Sequence, residues 1–435
     1  MLLTSPQATY GPAAGRDVRR QALACIGLVA CLLGVWAAGR AGLARLLSDY
    51  AAEKSLPGLA DGAVRLSPSD PQAHYARALA LSRAGRPADA LEEFGSAVAL
   101  RPGDYVLWME LGKARGQSGD LEGALAAFRE AARLAPYYAR PRWETGQLLL
   151  GAGRRDEAFE EFRLAVARRP ALLPEVIGLA WEACGGDAQA VQSVVLPQTG
   201  HERLVLARFI AQHGATDEAM QLFRAAGEIP DEDRRSFLNE LLAGKRFREA
   251  HEVWSSRREV SAGERGGDIG AITDGGFEGQ ITRNDPGFGW QVASHAQAVS
   301  VSLDADQPRA GAQSLLLRFG GDARPSDRIL TQLVPVAPRA RYRLSFAARS
   351  QELVTGGPPF VAVTDASDSG GRELARSLPL PSGTSGWRDY TLEFATNDAT
   401  GAVLIAVGRQ SCSTGDPCPI FGRVWFDAFD LQRLS

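Results

Sequence analysis

The sequence predicts a multidomain α + β protein: an apolar helix, then an α-helical solenoid, then an antiparallel β-sandwich. Three observations carry that order. Residues 21–39 are an uncharged run with a single polar residue, residues from Pro71 onward repeat every 34 positions, and after Gly276 helical spacing gives way to alternation of period two. The boundaries that follow are 1–20 as a cytoplasmic tail, 21–39 as a transmembrane signal-anchor, 50–258 as the solenoid, 259–269 as a linker and 270–435 as the sandwich domain.

The apolar run QALACIGLVACLLGVWAAG contains no charged residue. As a helix it spans roughly 27 Å, enough for the hydrocarbon core of a bilayer. Arg16, Arg19 and Arg20 precede it, which favours an inner N-terminus, although Arg40, Arg45 and Lys54 follow. Leu28-Val29-Ala30-Cys31 has the shape of a lipoprotein signal, so lipidation or cleavage is the rival reading. The run stays apolar through Leu32-Leu33-Gly34-Val35-Trp36, which favours an uncleaved anchor. A single-pass protein of a bacterial inner membrane is expected, with the bulk of the chain periplasmic or extracellular.

Three gapless units start at Pro71, Tyr105 and Ala139. Small residues recur at Ala78, Gly112 and Gly146, turn glycines at Gly85, Gly119 and Gly153, and prolines at Pro102, Pro136 and Pro170. Between them Ala90, Ala124 and Ala158 are followed by Phe94, Phe128 and Phe162, then by Ala97, Ala131 and Ala165. The pattern closely resembles the tetratricopeptide repeat, down to Trp108, Leu111 and Gly112 in the middle unit. Ala63 and Pro68 suit a capping half-repeat, and two eroded hairpins follow, HERLVLARFIAQHGATDEAMQLFRAA and RSFLNELLAGKRFREAHEVWSS. The resemblance implies a groove lined by the first helix of each unit, and places Tyr75, Met109, Trp143, Lys113 and Gln147 there. A protein partner, as a helix or extended segment, is the expected occupant. The competing reading is that Tyr75 and Trp143 only pack against neighbouring helices.

Beyond Gly276, short alternating segments such as Tyr342-Arg343-Leu344-Ser345-Phe346 are separated by Gly, Pro, Asp and Ser turns and read as strands of a sandwich. Asp274-Gly275-Gly276-Phe277-Glu278, Gly289-Trp290, Pro308-Arg309-Ala310-Gly311, Gly386-Trp387 and Val424-Trp425-Phe426-Asp427 occur in an order similar to jelly-roll carbohydrate-binding modules of the galactose-binding-like superfamily. That resemblance implies one structural calcium held by Glu278 and Asp427, or else a strand cap and a solvated acid. It also implies glycan binding, for which Trp290, Arg318, Gln332, Arg343 and Arg349 are the candidates. Trp290 reads more readily as a packed core residue, and many members of that superfamily keep only the scaffold.

Cys412 and Cys418 are separated by five turn-forming residues and are expected to close a disulfide, which fits an oxidising compartment. Charge excludes a class of partner. The chain has 435 residues, 48 Lys+Arg against 51 Asp+Glu and a net charge of −3, with no cationic stripe to engage a nucleic-acid backbone. No HExxH, GxSxG or P-loop is present, and the histidines are scattered, so a non-enzyme is expected. Two functions fit: a scaffold of exopolysaccharide or envelope assembly whose sandwich binds glycan, or a purely protein-binding scaffold of a secretion, pilus or division complex.

Overall fold

The computed structural model describes residues 14–54, 56–256, 269–279, 281, 286–292, 299–321, 323–325, 328–413 and 418–434. Most of the expected tail and all of the expected linker but Ile269 lie outside them. The chain divides into two compact units, 1–195 and 196–435.

The first unit opens with α1 (Ala14–Lys54), one uninterrupted helix of 41 residues. From Leu23 to Trp36 its large apolar side chains are exposed, and it is long and apolar enough to cross a membrane, as both an anchor and a signal sequence are. Its C-terminal third has a different environment. Ala44, Ser48 and Ala51, spaced to share one helix face, are fully buried where α1 packs on α2 (Pro57–Leu66) and α3 (Pro71–Arg83). The Ser48 hydroxyl donates to Ala44 O at 2.8 Å, so even the buried polar group is satisfied.

Three helical hairpins follow: α3 with α4 (Pro87–Leu100), α5 (Tyr105–Gln117) with α6 (Leu121–Leu134), and α7 (Ala139–Gly151) with α8 (Arg155–Arg168). Asp70 and Asp104 accept from the backbone N–H of Gln72 and Val106, each at 3.0 Å, capping α3 and α5. Gly85, Gly119 and Gly153 turn the chain within each hairpin at φ of +76°, +84° and +77°, where a side chain would be strained. The recurring small residues sit where helices cross. A Cβ on Gly112 would lie 2.6 Å from the Phe128 ring, and one on Gly146 would lie 2.6 Å from the Phe162 ring. Position four of the unit ties the first two of these first helices to the preceding turn: His74 Nε2 lies 2.9 Å from Pro68 O, and Trp108 Nε1 donates to Pro102 O at 2.8 Å; in the third, Arg142 instead donates to Glu161 on α8 at 2.9 Å. A short 3₁₀ turn, Pro170–Leu172, leads into α9 (Leu173–Ala183) and α10 (Ala188–Val195).

The second unit begins with two more hairpins, α11 (Gly200–Gln212) with α12 (Thr216–Ala225), and α13 (Asp231–Ala243) with α14 (Phe247–Ser255). Thr199 and Glu202 form a reciprocal capping box at the start of α11. Among the described residues, ten strands then build two five-stranded antiparallel sheets. One has the order β1 (Gln291–Val292), β4 (Leu330–Pro335), β9 (Ala402–Arg409), β6 (Pro359–Asp365), β7 (Glu373–Arg376). The other has the order β2 (Val299–Asp304), β3 (Ser314–Gly321), β10 (Ile420–Leu434), β5 (Arg341–Thr355), β8 (Gly383–Ala395). The alternation expected in β5 holds: Tyr342, Leu344 and Phe346 are buried in the core while Arg341 and Arg343 are exposed. Cys412 and Cys418 form a disulfide in the β9–β10 connection.

The helix α14 packs on this unit's strands and loops. His251 and Trp254 meet the buried Phe288 at ring separations of 5.0 and 5.8 Å, and Lys245 Nζ donates to Ser367 O at 2.7 Å. Burial holds the His251 imidazole below its ordinary value of 6.5. The unfolded chain therefore takes up this proton first as pH falls. The contribution of neutral His251 is complete above about pH 6.5 and is lost as pH drops through the lower folded value. Thermal unfolding of the wild type is expected to lose more stability between about pH 7.5 and pH 5.5 than that of His251→Phe, and equal losses would contradict the assignment.

Candidate functional site

The first helices of the repeats carry the candidate groove. Tyr75 on α3 is half-buried with its ring 6.1 Å from Phe94. Its hydroxyl is raised above the ordinary value, first by burial and then by the nearby carboxylate of Glu110, with Arg140 opposing. Those couplings place α3, α5 and α7 side chains in one electrostatic neighbourhood. Across α5 and α7, Lys113 Nζ lies 3.3 Å from both Glu110 and Glu144, and Arg140 lies 3.8 and 3.6 Å from the same two carboxylates. Two cations and two anions thus alternate across adjacent helices. Trp143 is half-buried with its ring 5.0 Å from Phe162, and Gln147, one turn further on, is exposed.

Met109 is a correction. It is 1% exposed and packs on Phe128 and Ala131, so it belongs to the hairpin core and offers a partner nothing. The face is polar as well as aromatic, because Glu110, Glu144 and Arg140 surround Lys113. A signal for the acids was present: Glu110 and Glu144 stand one repeat apart, at the same position of successive units.

In the sandwich the five glycan candidates do not share a face. Trp290 is 5% exposed, donates through Nε1 to Asp274 O at 3.0 Å and packs on Phe277 and Phe429 at 5.2 and 4.9 Å. Gln332 is fully buried and bonds both ways to the Thr273 backbone, at 2.7 Å as donor and 3.3 Å as acceptor. Trp290 thus takes the core reading, and the expected surface contact of Gln332 is corrected, because each side chain fixes the segment around Thr273 and Asp274 to the core. Gln332 also lies in the sheet opposite to that of Arg318, Arg343 and Arg349.

Of those three, Arg343 pairs with Glu393 at 2.7 Å and holds that carboxyl below its ordinary value. Arg349 is engaged more tightly. Its guanidinium lies 4.2 Å from the Trp425 ring and 5.4 Å from the Trp387 ring, and Nη2 donates to Asp306 O at 2.7 Å. Trp425 Nε1 donates to Asp304 at 2.7 Å, the main reason the Asp304 carboxyl is lowered. Arg318 is exposed and stands opposite Arg423 on β10. Trp387, Trp425 and Asp304 complete the Arg349 cluster and were not legible beforehand, because strand pairing alone brings them together.

Glu278 and Asp427 meet a common loop. Glu278 Oε1 accepts from Ala312 N at 2.8 Å, and Asp427, fully buried, accepts from Arg309 N at 2.8 Å and Ala310 N at 3.0 Å. Calcium needs a shell of oxygens, whereas these carboxylates face N–H donors, so the pair does not fit that ion. Their visible work is to hold the 309–313 turn. Among the described residues no group of three or more His, Cys, Asp or Glu is placed to hold a metal.

Comparison with known proteins agrees with the repeat geometry. Residues 71–114 and 109–172 each match a family model described as Tetratricopeptide repeat. This stretch is made of tetratricopeptide repeats. No curated protein matches the chain. Among solved structures it is similar to one described as MamA, 19% identical, covering 41% of this chain and 91% of that one at a TM-score of 0.27. It is also similar to a MamA RS-1 double mutant, 19% identical, covering 44% and 98% at a TM-score of 0.32. The enzymatically active domain of tailspike protein 4 of bacteriophage CBA120 matches at 17% identity, covering 38% of this chain and 22% of that one at a TM-score of 0.27.

Proposed function

We propose that this chain is a membrane-anchored, non-catalytic scaffold that binds a protein partner through its tetratricopeptide repeats. The carrying observation is the polar and aromatic face built by three consecutive first helices: Tyr75, the Glu110–Lys113–Glu144–Arg140 lattice, Trp143 and Gln147. Its charges are balanced, so it suits a segment presenting both signs together with an apolar side chain better than a lone carboxylate terminus. The anchor reading draws on α1, whose apolar part is exposed and whose remainder is built into the solenoid. The Arg residues before the span and the Cys412–Cys418 bridge favour a bulk outside the inner membrane.

Of the two functions, the protein-binding scaffold is the one we carry forward. Burial of Trp290 and Gln332 and the internal engagement of Arg349 take up three of the five side chains that a glycan would use. The test is co-purification of the detergent-solubilised full chain from its native membranes. Lys113→Glu with Arg140→Glu places four acids together and is expected to release the partner while leaving the helical signal intact. Retention of the same partner at the same yield would reject the groove.

A further inference from the structure

The solenoid has two edges, and α1 leaves it from one of them. Short turns alternate between the edges. Turns between repeats, at 67–70, 101–104, 135–138 and 169–172, share one edge; turns within hairpins, at 84–86, 118–120 and 152–154, share the other. Contacts of α1 with α2 run antiparallel, from Arg40 beside Leu66 to Ala51 beside Ala60. The apolar part of α1 therefore projects beyond the inter-repeat edge. Arg40 Nε donating to Leu66 O at 2.5 Å marks where it departs, and the Arg40 guanidinium lies 5.1 Å from the Trp36 ring. A tryptophan and an arginine at the end of an apolar span are residues of the headgroup layer.

The two edges differ in chemistry. On the inter-repeat edge Tyr137 is 80% exposed, Tyr138 59% and Leu100 42%, with Arg101, Arg168 and Arg169 exposed among them. Tyr138 occupies the position at which Asp70 and Asp104 cap α3 and α5, and α7 consequently has no side-chain cap. Its ring stacks on Tyr105 at 5.3 Å, and Arg168 lies 5.8 Å from the Tyr137 ring. The other edge carries Asp89, Asp120, Glu122, Asp156 and Glu157 paired with Arg86, Arg115, Arg154 and Arg155, and its three turns expose no large apolar side chain. Tyrosine, leucine and arginine suit a phospholipid interface, where rings sit at headgroup depth and guanidinium groups meet phosphates; an edge of internally paired charges with no exposed ring or large apolar side chain in its turns does not.

We propose that the inter-repeat edge lies against the headgroup layer of the bilayer that α1 crosses, with Tyr137, Tyr138, Arg168 and Arg169 contacting anionic phospholipid. The inference rests on the anchor reading. It continues a membrane boundary set at Trp36 and Arg40 along the edge from which the span emerges. The groove would then be held at the membrane surface, where a membrane-embedded partner presents its segment.

The experiment uses the full chain, with Cys25, Cys31 and Cys184 replaced by alanine, in vesicles of phosphatidylcholine with phosphatidylglycerol. An environment-sensitive fluorophore is placed by Leu32→Cys, Tyr137→Cys or Ser118→Cys in turn, and quenched by lipids spin-labelled in the acyl chain or the headgroup. Expected are strong acyl-chain quenching at 32, headgroup quenching at 137 several-fold above that at 118, and loss of the difference in Arg168→Glu/Arg169→Glu. Quenching at 32 with equal, water-like signals at 137 and 118 would overturn the proposal while sparing the anchor. Absence of quenching at 32 would reject the anchor and the proposal with it.

Discussion

Gly146→Val is expected to unfold the third repeat hairpin. The added Cβ would stand 2.6, 2.7 and 3.0 Å from three atoms of the Phe162 ring. That ring cannot withdraw: Phe162 is fully buried, with Trp143 5.0 Å and Phe159 5.6 Å from it. The helices α7 and α8 must therefore separate. Overpacking of this kind costs about 1–3 kcal/mol, and more where nothing can move. Stacked repeats share a core, so the loss spreads to neighbouring units. Circular dichroism melts of the full chain should show a lowered, broadened helical transition. In a Phe162→Leu background the added cost of Gly146→Val should shrink, because the clashing ring is gone; additive costs would contradict the mechanism.

Arg409→Met is expected to have the largest effect in the sandwich. Arg409 is 2% exposed, and its guanidinium donates to Gly357 O at 3.2 Å, Thr355 Oγ1 at 3.1 Å and Cys418 O at 2.8 Å, and also to Ala323 O. It thereby ties the β5–β6 turn, the segment before β4 and the disulfide loop to β9. Methionine fills similar space but leaves several buried acceptors unpaired, at about 1–3 kcal/mol each. Arg409→Lys should recover little, since an ammonium cannot reproduce the planar fork. Urea unfolding followed by tryptophan fluorescence measures both, and full recovery by lysine would show that charge alone is required.

Much of this architecture was legible because close packing leaves a trace in sequence. Gly112, Gly146 and the alanines two turns apart recur because helices touch there, and the Tyr342–Phe346 alternation survives because one face of β5 is buried. The short Cys412–Cys418 loop needed only proximity along the chain. The site residues fared differently, because their surroundings are made by distant chain. Trp290 is buried by Phe277 and Phe429, and Gln332 by the Thr273 backbone. No local pattern tells which sheet β4 joins, and so none could show that Gln332 and Arg349 lie on different sheets. Met109 shares its repeat position with Tyr75 and Trp143 but sinks into the hairpin core, so repeat position alone does not fix exposure.

A photoactivatable side chain at residue 147 of the full chain, irradiated in native membranes, tests the scaffold reading most directly. Gln147 is exposed on a first helix, and Glu160, exposed on the second helix of the same hairpin, is the matched control. A groove that binds a partner predicts a discrete protein adduct from position 147, absent from position 160 and abolished by Lys113→Glu/Arg140→Glu. Identical adducts from both positions, or none from 147, would contradict it.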